Sequence, residues 1–160
     1  MAQYVAGIDE AGLGPMLGPL VVGACLFRID NPKLGNMWDA LEPLVSRDPK
    51  RWREQMVVCD SKQLYSSSRG VGPLEESLIP FCMNNSGLIE ESSASIEFDT
   101  FWKAHSLVPT SALDTYPWYS KRELSLPLKA QADRIEIRAR QLSQRFSEQG
   151  IALEDYSALP

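Results

Sequence analysis

The chain has 160 residues, of which 44% are hydrophobic, and a formal net charge of −5 at pH 7. This length predicts one soluble globular domain, 1–160, and no apolar run approaches the ~20 residues needed to span a bilayer. The negative balance disfavours binding of nucleic acid over the whole surface, because phosphate binding depends on Lys and Arg, but it permits an acidic centre with a local basic rim.

The three cysteines, Cys25, Cys59 and Cys82, are widely spaced and lie in apolar surroundings. They show neither zinc spacing nor a redox pair, so they predict reduced core residues of a cytoplasmic protein.

The first predicted elements are two strands joined by a glycine turn. An apolar run, Tyr4–Ile8, leads into two adjacent carboxylates, Asp9 and Glu10, and residues 12–15 (Gly-Leu-Gly-Pro) precede a second apolar run, Leu20–Phe27. Neighbouring residues of a regular strand point to opposite faces. Both acids therefore serve one site only if the chain bends there, and the glycines permit such a bend.

Three interpretations of this stretch remain open from the residues alone. A solvated acidic corner is the usual role of an exposed Asp-Glu pair. A phosphate cradle would use the glycines at 12, 14 and 18, but their spacing misses the dinucleotide fingerprint by one residue and Pro15 lacks an N–H donor. A hard-cation site would use the carboxylate oxygens, which suit Mg²⁺ or Mn²⁺ together with substrate phosphate.

The middle of the chain predicts a helix over 34–45, with Pro43 late in the pattern, and then a basic patch over 47–53 around Trp52. A solvated loop anchored by Trp52 is favoured there over a contact with nucleic-acid backbone. A short apolar run, Met56–Cys59, then leads into residues 60–64 (Asp-Ser-Lys-Gln-Leu). The ammonium and the hydroxyl of this segment suit a phosphate oxygen, and Asp60 is assigned to capping or orienting the loop.

Later segments predict a helix over 74–82 despite Pro80 and a strand within 87–98. An aromatic, proline-bearing insert or lid follows at 100–128. A lid or loop packed on the domain is favoured there over a surface that stacks on nucleic-acid bases. The single histidine, His105, has no ligand partners in the sequence and is assigned no function. An amphipathic helix over 132–146 is closed by Gly150. Three arginines form a stripe along one flank of this helix: Arg134, Arg138 and Arg145. The stripe is predicted to be a solvated face, with Glu136 and Arg140 paired at i,i+4.

Two strings carry a resemblance to a known family. Residues 7–19 (GIDEAGLGPMLGP) resemble the signature of type 2 ribonuclease H, or ribonuclease HII, and residues 60–64 (DSKQL) are similar to the Asp-Ser-Lys-x-Leu segment of that family. The resemblance implies an α/β fold, a ribonuclease H-like mixed sheet flanked by helices. In that fold 87–98 corresponds to the third strand, and the helix over 132–146 precedes the catalytic fourth strand.

The function implied by the resemblance is metal-dependent endonucleolytic cleavage of the RNA strand of RNA/DNA hybrids. The partners implied are the hybrid and two Mg²⁺ or Mn²⁺ ions, for a monomer with no membrane association. Asp9 and Glu10 correspond to catalytic metal ligands. The implied substrate contacts are Gly12, Leu13 and Gly14 along the sugar-phosphate backbone, and Ser61 and Lys62 on phosphate.

The chain departs from the family pattern in two respects. Leu13 stands where the family has Arg between the glycines, which removes a charge from the turn that recognises the ribose 2′-hydroxyl. The family also uses four carboxylates, of which only Asp9 and Glu10 are found. Glu154 and Asp155 are not closely preceded by an apolar strand. We therefore expect part of a longer protein, or a truncated relative, with weak or no activity alone; the alternative is a non-catalytic nucleic-acid-binding relative.

Overall fold

The computed structural model describes residues 1–11, 20–86, 95–115 and 123–159. Its strands are β1 (Gln3–Ala11), β2 (Val21–Ile29), β3 (Val45–Ser46), β4 (Met56–Val57), β5 (Ile96–Glu97), β6 (Ser125–Leu126) and β7 (Ile151–Leu159). Its helices are α1 (Met37–Leu41), α2 (Ser61–Leu64), α3 (Gly72–Ser86), α4 (Phe98–His105) and α5 (Ala132–Gln149), with 3₁₀ turns at Pro49–Arg51 and Thr110–Thr115. The chain is therefore mixed α/β, as predicted. None of the helices in the described ranges combines the length and the hydrophobicity that a membrane span requires.

The main sheet has the strand order β1-β2-β7 with antiparallel neighbours. β3 and β4 form a separate parallel pair, and β5 and β6 an antiparallel one. Within the described part of the chain, β1 pairs only with β2. None of the described strands therefore covers its outer edge, and Tyr4, Val5 and Ile8 are exposed on this strand.

The core forms where α5 packs against one face of this sheet. Leu142 and Phe146 of α5 are buried with Ile151 and Leu153 of β7, and Phe27 of β2 meets the Phe146 ring edge-on. α5 ends as predicted at Gly150, which has the left-handed φ of 64° and donates its N–H to the carbonyls of Phe146 and Ser147. This cap turns the chain directly into β7.

α3 continues through Pro80 because other residues compensate for the missing N–H. Proline leaves the carbonyl four residues earlier without its helical donor, and here that carbonyl belongs to Glu76. The Arg138 guanidinium of α5 donates to this oxygen at 3.2 Å, while the Asn84 amide bridges the carbonyls of Pro80 and Ala139 at 2.8 and 3.0 Å. The proline thus creates an acceptor that fastens α3 to α5.

A second link between these helices uses the buried carboxylate of Glu75. It accepts three backbone N–H bonds, from Leu128 at 2.5 Å and from Lys129 and Ala130 at 2.9 Å each. These amides belong to the segment that enters α5. One α3 side chain therefore fixes where α5 begins.

The arginine stripe of α5 is not the solvated face that was predicted. Arg138 is only 7% exposed and pairs with Glu76 at 2.8 Å, and Arg134 reaches the same carboxylate at 3.2 Å. Arg145 donates to the carbonyls of Ala40 and Glu42 at 2.6 and 3.0 Å, where it serves the C-terminal end of α1. The predicted Glu136–Arg140 pair, at 2.8 Å, is an exposed interaction on the helix surface.

Two other predicted elements differ in extent. The helix predicted over 34–45 is reduced to α1; the Asn36 side chain caps its start by accepting from the Trp38 N–H at 2.8 Å, and the residue before Pro43 is pushed into an extended conformation. Of the strand predicted within 87–98, residues 87–94 lie outside the described residues. The remainder is β5, which joins β6 and not the main sheet.

The third strand of the main sheet is instead β7, which the sequence analysis did not predict. Its apolar alternation is interrupted because the pairing shifts between Leu26 and Phe27, so that Asp155 faces Leu26 and Leu153 faces Phe27. Glu154 is the extra residue of this bulge, and the two adjacent acids conceal the period of two.

His105 is buried between α4 and the main sheet. It lies at the end of α4, 4% exposed, with Nδ1 3.3 Å from the Tyr156 carbonyl of β7. Burial lowers the pKa of His105 below 6.5. The described part of the predicted insert, through α4, therefore packs on the sheet, while residues 116–122 lie outside the described residues.

Candidate active site

Asp9 and Glu10 lie near the end of β1, where the ladder with β2 is regular. Asp9 pairs with Gly23 and Glu10 with Val22, and pairing continues to Ala11. The described strand therefore does not bend at the two acids. Their side chains start on opposite faces of the sheet, with Asp9 on the face shared by Gly7 and Cys25, which turns toward the core.

The space beside Asp9 is open because its neighbour across the ladder is a glycine. Gly23 has no side chain to cover the carboxylate, and Ala158 of β7 stands next in the same row. The Glu10 N–H donates to Asp9 Oδ1 at 2.9 Å, which turns that carboxylate toward the strand end. Gly23 was missed by the sequence analysis; its position in the second strand, opposite an acid of the first, is the signal that identifies it.

The phosphate-binding candidates Ser61 and Lys62 form the first turn of α2. Asp60 caps this turn as predicted, because its side chain accepts the Lys62 backbone N–H at 2.8 Å. Both Ser61 and Lys62 are exposed. Within the described residues, neither lies within hydrogen-bond or ion-pair distance of Asp9 or Glu10. The remaining predicted contacts, Gly12, Leu13 and Gly14, lie outside the described residues.

An apolar cavity of about 330 Å³ lies between β1 and the segment that leads to α2. Val5 and Gly7 of β1 line one side, and Val58 and Leu78 line the other. Such a lining offers almost no donors or acceptors, so this cavity does not suit a phosphate or a divalent cation.

The acids of β7 do not complete the site. Asp155 lies two strands away from Asp9 and three ladder positions along, which places the two Cα atoms about 14 Å apart. Glu154 instead pairs with Arg28 at 2.5 Å. Throughout the described ranges, no group of three or more His, Cys, Asp or Glu residues comes together in a way that could hold a metal ion.

Parts of the chain are similar in sequence to ribonuclease HII from several bacteria. Ribonuclease HII of Bacillus licheniformis is 54% identical over 33 residues, which is 21% of this chain and 13% of that protein. The Xylella fastidiosa protein is 47% identical over 36 residues, or 22% and 15% of the two chains. The Xanthomonas axonopodis pv. citri protein is 33% identical over 57 residues, or 36% and 21%.

These similarities are local. The chain spans between about an eighth and a fifth of the length of these relatives. No protein-family model matches it, and no solved structure matches it. The comparisons therefore support a partial relationship in sequence to ribonuclease HII.

Proposed function

We propose that the chain carries the metal-binding corner of a ribonuclease HII-like endonuclease, with a ribonuclease H-like sheet, that cleaves the RNA strand of RNA/DNA hybrids. The observation that carries the proposal is the pair of exposed carboxylates, Asp9 and Glu10, near the end of β1 beside Gly23. The local similarity to ribonuclease HII supports the same chemistry.

Carboxylate oxygens are the ligands that Mg²⁺ and Mn²⁺ prefer, and Mg²⁺ is usually held by one or two carboxylates together with substrate phosphate. Both side chains are exposed near the end of β1, which has no described neighbour on its outer side, so each carboxylate is accessible to a divalent ion. When bound, divalent ions supply activation of a water molecule and stabilisation of the leaving oxygen. The donor set thus fits the metal, with the phosphate of the substrate completing the site.

The other predicted residues would position the substrate. Gly12, Leu13 and Gly14 would line the ribose beside the cut, with backbone groups as the donors and acceptors for the 2′-hydroxyl. Ser61 and Lys62, exposed on the capped turn of α2, would hold a phosphate by a hydroxyl and an ammonium donor. These residues would select and orient the hybrid substrate, whereas Asp9 and Glu10 would hold the metal.

The proposal is tested by incubating an end-labelled RNA/DNA hybrid with the chain in Mg²⁺ or Mn²⁺. We expect cleavage to fall at least about a hundredfold in Asp9→Asn and to persist in Asp30→Asn, a matched exposed aspartate at the end of β2. Calorimetric titration with Mn²⁺ alone gives a second readout, in which Asp9→Asn should bind more weakly than Asp30→Asn. Equal cleavage by Asp9→Asn and the unmodified chain would remove Asp9 from the mechanism.

A non-catalytic nucleic-acid-binding relative is the second candidate. It is favoured by the regular pairing of β1, which starts the two carboxylates on opposite faces, and by the distance of Asp155 from them. Binding of the hybrid with no cleavage in either metal, together with unchanged Mn²⁺ titration in Asp9→Asn, would establish this candidate in place of the first.

A further inference from the structure

The connection between β3 and β4 contains a segment of strong positive charge, residues 47–53, which we name the basic loop. Its sequence, Arg-Asp-Pro-Lys-Arg-Trp-Arg, carries four cations and one acid, a net charge of +3 in a chain whose total is −5. The rest of the chain therefore sums to −8. The basic loop is thus a concentrated positive segment of an acidic chain.

The cations of the basic loop are exposed and are not neutralised. Within the described residues, none of the four forms an ion pair with a carboxylate; they are Arg47, Lys50, Arg51 and Arg53. The Asp48 carboxylate caps the 3₁₀ turn by accepting the Lys50 backbone N–H at 2.9 Å. Arg51 donates to the neutral Gln55 amide at 3.3 Å, and the acid that follows the loop, Glu54, is exposed.

Two of the guanidinium groups lie over tryptophan rings. Arg47 is 4.1 Å from the ring centroid of Trp38 in α1, and Arg53 is 5.1 Å from that of Trp52. A stacked guanidinium keeps its N–H donors at the rim, where they remain available to an oxygen ligand. Stacking therefore restrains both arginines without using their hydrogen-bonding capacity.

Two side chains of α5 hold the backbone of the basic loop in place. Arg138 donates to the Trp52 carbonyl at 3.1 Å and Arg134 donates to the Arg53 carbonyl at 2.6 Å. Both arginines also pair with the buried carboxylate of Glu76. The loop is therefore fixed through two of its backbone carbonyls, and the ion pairs with Glu76 hold the two donors in place.

We infer that the basic loop is a phosphate-binding surface for a nucleic-acid duplex, outside the carboxylate corner. Restrained guanidinium groups without carboxylate partners suit phosphate oxygens, which accept two N–H bonds from one arginine. A duplex presents a narrow rod of phosphates that a single loop can contact, whereas a flat anionic membrane would also repel the acidic remainder of the chain. The inference rests on the proposed function, since it supplies substrate affinity for that site.

The test measures binding of a fluorescent DNA duplex and an RNA/DNA hybrid by anisotropy in EDTA, over a range of NaCl concentrations. The variant is Arg47→Gln/Lys50→Gln/Arg53→Gln. The matched control, Lys33→Gln/Lys103→Gln/Lys129→Gln, removes three exposed charges elsewhere. We expect the slope of log affinity against log salt to fall by about 2 to 3 in the variant and Kd at low salt to rise at least about tenfold. The control should lose much less.

Equal losses in the two triple variants would overturn the inference, as would binding of phosphatidylserine vesicles through the basic loop without binding of either duplex. Circular dichroism and thermal unfolding establish that both variants are folded, since all substituted side chains are exposed. Neither metal nor cleavage enters the measurement. Failure of the nuclease proposal and failure of this inference are thus separate results.

Discussion

The buried ion pair between α3 and α5 gives the sharpest prediction for stability. Arg138 donates to the Glu76 carboxylate at 2.8 Å, to the Glu76 carbonyl that Pro80 leaves without a helical donor, and to the Trp52 carbonyl. Arg138→Met keeps much of the aliphatic stem and removes all of these bonds at once. The substitution leaves the Glu76 carboxylate buried, with Arg134 at 3.2 Å as its remaining partner.

The expected cost follows from the burial of both groups, whose side chains are 8% and 6% exposed. Breaking a buried pair by removing one partner costs about 3–5 kcal/mol. Arg134 offsets part of this, but the orphaned Glu76 carbonyl adds a desolvation penalty of about 1 kcal/mol or more. We therefore expect about 3–4 kcal/mol, a large fraction of the 5–15 kcal/mol that is typical of a domain.

The assay is urea unfolding followed by tryptophan fluorescence, with Arg140→Met as control. Arg140 lies on the same helix, is 58% exposed and pairs only with Glu136 in the described structure, so its loss should cost no more than about 0.5 kcal/mol. Adding Glu76→Gln to Arg138→Met removes the stranded charge and should recover part of the loss. Similar midpoints for Arg138→Met and Arg140→Met would refute the reasoning.

Two further predictions concern buried polar groups. Glu75→Gln replaces a carboxylate that accepts three backbone N–H bonds with an amide whose NH₂ group faces those donors, so it should lower the free energy of unfolding by about 2–4 kcal/mol in urea. Glu136→Gln is the exposed control. Equal urea midpoints for the two variants would contradict the proposed role of Glu75 in fixing the start of α5. Because burial lowers the pKa of His105, the unfolded chain binds its proton more tightly, so stability should fall as pH drops through 6.5 toward the folded pKa. His105 is the only histidine, so His105→Asn should flatten the dependence of the free energy of unfolding on pH between about pH 5.5 and 7.5. An unchanged slope of unfolding free energy against pH would show that another group causes the dependence.

Elements governed by neighbouring residues were predictable from the sequence. Asp60 caps α2 and Gly150 ends α5 because each acts within a few residues of its own position. β7 and the arginines of α5 were not predictable in the same way. The bulge at Glu154 depends on the partner strand, and Arg138 meets Glu76 and Trp52 from 62 and 86 residues away. The sequence placed these arginines on one flank of α5, but whether that flank is buried depends on α3 and the basic loop, which pack against it.

The candidate site shows the same division. The two acids were located from the sequence, and their regular pairing and the glycine opposite Asp9 emerged only when β2 was aligned beside them. The insert or lid at 100–128 remains a prediction, because residues 116–122 lie outside the described ranges.

The outer edge of β1 has a consequence for solubility. Among the described residues its outer N–H and C=O groups have no strand partner, and beside the exposed Tyr4, Val5 and Ile8 they form a template for strand addition between molecules. Asp9 and Glu10 are the only charged side chains on this strand, so they also act as gatekeepers against self-association. Neutralising either acid removes an electrostatic barrier to self-association. Light scattering on Asp9→Asn therefore shows whether a loss of cleavage comes from the missing carboxylate or from aggregation of the variant.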